Sequence, residues 1–251
     1  MTLAKHKLTE TTLDDVQELI PKEMNVVEDL SLLLKDKPMS TLQRYQLNSF
    51  IKCSNMVTVF VRLGKVADMT GRSVYLRKGE DKNEVLKEWM IYHYGFYVSI
   101  YQGVADIALI LVNQILDLGY PVRTCNLPTV CGNDHVKGTG IDKTLQQIEE
   151  MTNKHRESKN LLLHRGEEVI PPVEIISPSV FAIQDLVKKM GLSEDIITAY
   201  LNEFLALKNK KQLMGKMLSE CGYLEITVER LFNELLPHYV KIRSFYQQTP
   251  N

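Results

Sequence analysis

Residues 155–166 read HRESKNLLLHRG and carry the clearest chemical signal in the chain: Arg156, Lys159, Asn160, His164 and Arg165. On a helix, Arg156, Asn160 and His164 stand at i, i+4 and i+8 and share one face. Leu161, Leu162 and Leu163 cover other directions and can pack. An imidazole with an ordinary pKa of about 6.5 can move a proton near neutral pH. Neighbouring cations hold phosphate and steady the charge that builds in a phosphoryl transition state. Such a set suits RNA cleavage without metal. An activated 2′-hydroxyl attacks the adjacent phosphate, His164 moves a proton, and Arg156 or Lys159 steadies the oxyanion.

A plainer reading accounts for part of the same letters. His164 and Arg165 fall in the last turn of the expected helix, where cations meet its negative dipole end, and Gly166 is the ordinary residue just past a helix. On this reading the protein is a non-catalytic helical interaction or scaffold domain, and the motif only ends a helix. Capping does not account for Arg156 and Asn160 lining up beneath His164.

Other candidates are weaker. Asp106 sits in the most apolar segment, IYQGVADIALILV, where a buried carboxylate must be paired, and it is a candidate orienter of Arg156 or His164. Cys125-x5-Cys131-x3-His135 lacks the close cysteine pairs and the fourth ligand that zinc wants, so no metal is expected. Trp89, Tyr92, His93, Tyr94, Phe96, Tyr97 and Tyr101 read as core of a central helix in preference to a base-stacking platform. The run Lys208–Lys211 reads as a solvated face, and no phosphate loop or nucleophile elbow points to a cofactor.

The elements that must position these residues are all helical. Leu13–Leu34 reads as one or two helices capped by Thr11 or Thr12 and interrupted at Pro21. Ser40 and Gln43 fit a capping box that opens a helix ending near Gly64–Gly71. Glu84–Leu118 reads as a long buried helix with a kink near Gly95 or Gly103, stopped by Gly119 and Pro121. Residues 120–140 form the long irregular stretch, suited to a lid or to an RNA or partner contact through Arg123, His135 and Lys137. Ile141–Arg165 is the motif helix. A proline-rich crossover follows, then Val180–Met190, Ser193–Leu207 and a last pair of helices broken near Gly222. The expected architecture is an all-α antiparallel bundle, with an N-terminal extension (1–38), a core (39–170) and C-terminal helices (171–251) packed on it.

The stretch Lys159-Asn160-Leu161-Leu162-Leu163-His164 on this layout resembles the signature of HEPN (higher eukaryotes and prokaryotes nucleotide-binding) domains. That signature is Arg, four to six residues, then His, often with Asn or Asp after the Arg and a basic residue and Gly after the His. Residues 40–166, about half of the chain, follow the family layout. The chain departs from it where Lys159 holds the arginine position and where Arg156 lies seven intervening residues from His164. On an unbroken helix Lys159 and His164 diverge by about 140°, while Arg156 shares the His164 face about 11 Å away. Lysine also lacks the planar fork that grips phosphate at two points. The resemblance implies a metal-independent endoribonuclease or RNA-binding module, often with a toxin or phage-defence role. It further implies a homodimer whose protomers bring their motifs together, and an antitoxin or other protein partner.

Bulk composition is compatible with this. The 251 residues are 44% hydrophobic and 24% charged, with a net charge of −1, so nucleic acid binding needs a local basic patch. The N-terminal residues lack the apolar core of a signal peptide, and four irregularly spaced cysteines read as reduced thiols. The longest pure apolar run, Ile107–Val112, is far short of the ~20 residues that span a bilayer. The expectation is a cytoplasmic protein with no membrane, cofactor or metal.

Overall fold

The computed structural model describes residues 2–19, 39–72, 82–156, 160 and 194–249. The protein is all-α: among the described residues there are six helices and no strand. They are α1 (Lys7–Gln17), α2 (Thr41–Gly71), α3 (Lys82–Ile115), the short α4 (Leu127–Cys131), α5 (Ile141–Asn153) and α6 (Glu194–Gln248). The helices expected before residue 39, apart from the first, and the segments 167–178 and 180–190 lie outside the described residues.

Local chemistry explains most boundaries. Helix α1 starts six residues earlier than expected because His6 caps it: its Nδ1 accepts from the Leu8 N–H at 3.0 Å. Thr12 lies inside the helix, and its hydroxyl donates back to the Thr9 carbonyl at 3.0 Å. The capping box of α2 forms as its sequence predicts. Gln43 N–H donates to Ser40 Oγ at 3.2 Å, and Ser40 N–H donates to Gln43 Oε1 at 3.0 Å. Helix α3 is continuous through Gly95 and Gly103. It ends at Ile115, short of the expected Leu118: Asp117 takes φ +49° and Gly119 φ +73°, and the Asn113 side chain clamps Tyr120, accepting its N–H at 3.0 Å and donating to its carbonyl at 2.9 Å.

Helix α6 replaces the separate C-terminal helices expected from the sequence. It is continuous through Gly222 and carries Pro237 within it. A mid-helix glycine costs only about 1 kcal/mol relative to alanine. Leu224, Val228, Leu231, Phe232, Leu235 and Tyr239 are fully buried along its length. At about 1.5–3 kcal/mol for each large apolar side chain, that burial outweighs the glycine.

The chain forms two compact units, and α2, α3 and α6 each contribute a stretch to both. The first comprises Met1–Val61, Gln102–Lys154 and Tyr223–Asn251. Here Tyr45 of α2 donates its hydroxyl to the Ile115 carbonyl at 2.8 Å and stacks on Tyr239 of α6 at 5.6 Å between ring centres. The second comprises Arg62–Tyr101 and His155–Gly222. In it the end of α2 runs antiparallel to α6: Lys210 reaches the Arg72 carbonyl, Met214 lies against Gly71, and Thr70 faces Met217. Lys210 is therefore buried, not solvated as expected from its charged run, and burial pushes its pKa down. Among the described residues one helical span, Glu88–Ile115, is long and apolar enough to cross a bilayer by composition, but more than half of its most apolar stretch is buried inside the protein, as in a core helix.

Candidate functional site

Helix α5 ends at Asn153, well before the expected Arg165, and Lys154–His155 form a turn. Arg156 and Asn160 each have helical backbone, and both are exposed. Lys159, His164 and Arg165 lie outside the described residues. The expected single helix carrying the whole polar line is thus interrupted directly before the motif.

The interruption has a physical cause in His155, a residue the sequence reading passed over. Its side chain turns inward and is 7% exposed. Nε2 lies 3.1 Å from Glu220 Oε2, and Nδ1 lies 3.4 Å from Tyr94 Oη. Tyr94, Tyr97 and Tyr101 meet the ring edge-on, Tyr101 nearest at 5.2 Å between centres. A neutral imidazole satisfies this arrangement when Nε2–H donates to Glu220 and Nδ1 accepts from the Tyr94 hydroxyl. Burial, and then the Glu220 charge, push the Tyr97 and Tyr101 phenols well above the ordinary tyrosine value. The Tyr97 hydroxyl is itself committed, donating to the Met217 carbonyl at 2.9 Å.

Carboxylate, imidazole and phenol in a row form a proton-relay geometry. Tyr94 at its far end is only 4% exposed, so the row acts as an anchor. It fixes the residue from which Arg156 and Asn160 project. The signal for His155 lay in the tyrosines at 94, 97 and 101, which share one face of α3. Glu220, 65 residues away in sequence, carried no such signal.

The remaining candidates separate. Asp106 is exposed, and among the described residues it has no hydrogen-bond or ion-pair partner. The orienting role expected of it rested on a burial that it lacks. Its strip of α3 also holds Glu88, Tyr92 and Phe96, and Tyr92 and Phe96 are 70% and 50% exposed. The aromatic group is therefore core only in part. His93 is buried against Trp89 at 4.2 Å between ring centres, and burial lowers its pKa. None of the four cysteines is in a disulfide. The Cys125 and Cys131 thiols face backbone carbonyls, at 3.6 Å from Pro121 and 3.9 Å from Asp142. Among the described residues no three His, Cys, Asp or Glu side chains gather as a metal site.

Residues 120–140 form a set of pinned turns. Asn126 caps α4 through the Thr129 N–H at 3.0 Å, and Asn133 Nδ2 donates to the Tyr120 hydroxyl at 2.9 Å. Arg123, His135 and Lys137 are exposed on these turns. Comparison of the chain with protein-family models, with curated proteins and with solved structures finds no match in any of the three.

Proposed function

We propose that the protein acts on RNA as a HEPN-like module, a metal-independent endoribonuclease or RNA binder of the cytoplasm. In this reading His164 is the acid/base, Arg156 or Lys159 contacts the phosphate, Asn160 holds substrate or local geometry, and Arg165 flanks the histidine. Two protomers supply a composite site, and a toxin or phage-defence role with a protein partner follows from the family resemblance. The observation that supports the reading is the contrast at residues 155–160. A buried histidine is held by Glu220 and Tyr94, and after it Arg156 and Asn160 stand exposed, each in helical backbone. A helix that merely ended here would have no need of a locked start with a cation and an amide presented to solvent.

The test is cleavage of a panel of single-stranded RNAs in EDTA by wild type and by His164→Ala. Removal of a general acid/base lowers the rate by about 10²–10⁴-fold. Equal cleavage by both proteins, or none by either, puts the non-catalytic interaction domain ahead.

A further inference from the structure

Helices α5 and α6 are joined by an antiparallel ladder within the first unit. The Thr227 hydroxyl reaches Met151 Sδ at 3.5 Å. Arg230 then donates to Gln147 and, at 3.1 Å, to Thr144. One turn on, Glu234 accepts from the Thr144 hydroxyl at 3.0 Å and lies 3.5 Å from where a side chain on Gly140 would begin. Each turn forward on α6 meets residues one turn back on α5 and its approach. The next turn of α6 carries the half-buried His238 and then the exposed Lys241, so the ladder sets them toward the turn at 133–138.

That turn is rigid. The Val136 and Lys137 N–H groups both donate to the Asn133 carbonyl at 2.9 Å, and His135 N–H donates to Asn133 Oδ1 at 2.9 Å. Val136 is fully buried, while His135 and Lys137 on either side of it are exposed. The electrostatics agree with the ladder: burial, then the Lys241 charge, then His135 lower the pKa of His238. The His135 imidazole of the turn therefore faces the His238 imidazole and the Lys241 ammonium of the helix, in surroundings that disfavour a charge on His238.

The carboxylates nearby are mostly committed. Glu234 is held by Thr144, and its second oxygen is buried without a partner. Asp142 accepts from the Gly138 and Lys143 N–H groups at 3.0 and 2.9 Å, which holds its carboxyl below the usual range. Asp134, exposed beside His135, is the carboxylate that competes with an anion for these donors. Arg230 is occupied by Thr144 and Gln147.

We propose that His135, His238 and Lys241, with Lys137 at the rim, form a phosphate-binding site that docks the backbone of a single RNA strand. The identity of the ligand rests on the RNA reading above; the site itself does not. An anion there accepts hydrogen bonds from the imidazoles and the Lys241 ammonium, and it favours the protonated form of His238 that burial and Lys241 otherwise disfavour. It makes up locally for a chain whose net charge of −1 gives RNA no general attraction.

The experiment uses the full chain and two probes. In the first arm, imidazole resonances assigned through His135→Asn and His238→Asn are titrated against pH, in inorganic phosphate and in sodium chloride of equal ionic strength. His238 should titrate at higher pH in phosphate, saturably, and Lys241→Gln should abolish the difference without altering the circular dichroism spectrum. Identical titrations in the two salts, or a difference that survives Lys241→Gln, overturn the site. In the second arm, binding of a labelled single-stranded RNA should weaken on the order of tenfold in Lys241→Gln. The slope of log affinity against log salt should flatten by about one. Asp134→Asn should tighten binding. A phosphate effect without any RNA binding leaves the site standing and overturns the RNA reading; RNA binding without a phosphate effect does the reverse.

Discussion

In the first unit Arg243 and Tyr239 of α6 both reach Asp15 of α1, at 2.7 and 2.5 Å. In the second unit Glu220 and Tyr94 flank His155, at 3.1 and 3.4 Å. Both networks join a carboxylate, a phenol and a nitrogen base, and both tie together segments far apart in sequence. They differ in what they hold. Asp15 is 6% exposed and carries a charge matched by arginine. Burial, and then the Asp15 hydrogen bond, push the Tyr239 phenol far above its ordinary value, and Tyr45 stacks on that ring. Both Asp15 oxygens are committed to closing the unit, one to Arg243 and one to Tyr239. His155 needs no charge to satisfy its neighbours, its Tyr94 contact is long, and the next residue along the chain is an exposed arginine. Similar chemistry thus serves closure in one unit and presentation in the other.

The largest expected effect tests the first half of that contrast. Asp15→Ala leaves the Arg243 guanidinium part-buried without its partner and Tyr239 without its acceptor. Breaking a buried pair by removing one member costs about 3–5 kcal/mol. Equilibrium urea unfolding measures it. A loss below about 1 kcal/mol would mean that Asp15 does not close the unit and that the contrast fails.

The middle effect tests the second network. Glu220→Gln keeps an acceptor for His155 Nε2–H but removes the charge, while His155→Ala empties the tyrosine cage. The expected losses are about 0.5–1.5 kcal/mol for Glu220→Gln and about 2–3 kcal/mol for His155→Ala, both smaller than that of Asp15→Ala. Both should also lower RNA affinity or cleavage, because the residue before Arg156 is no longer fixed. If the two variants lose stability but keep full RNA activity, His155 is a core residue only and presents nothing.

Legibility in the sequence followed the range of the interactions. The capping box at Ser40 and Gln43 was legible because both partners lie within one turn. The all-α class was legible because helical periodicity recurs along the chain. The length of α6 was not: Gly222 and the charged run at 208–211 look like punctuation locally, and only burial along the whole helix overrides them. Asp106 misled because α3 is apolar almost all round, which hides the strip left to solvent. His155 was missed for the opposite reason. Its partners come from α3 and α6, so the stretch HRESKNLLLHRG shows the polar line and not the buried residue that begins it.

The smallest effect on stability is the sharpest test of presentation. Arg156 is exposed, and no pair or cap depends on it among the described residues. Exposed substitutions of this kind stay within about ±0.5 kcal/mol, so Arg156→Ala should unfold with wild type. If Arg156 grips phosphate, the same variant loses RNA affinity on the order of tenfold, and Arg156→Lys recovers only part because an ammonium cannot make the bidentate contact. Lys159→Ala, made alongside, decides which cation stands in the arginine position of the motif. A tenfold loss at 159 with none at 156 assigns the role to the residue at motif spacing, and the helix face presented by His155 is then not the one that meets RNA. A loss at 156 alone assigns it to the residue that the His155 anchor positions. The outcome at these two residues settles whether sequence spacing or the turn at 154–155 governs the site.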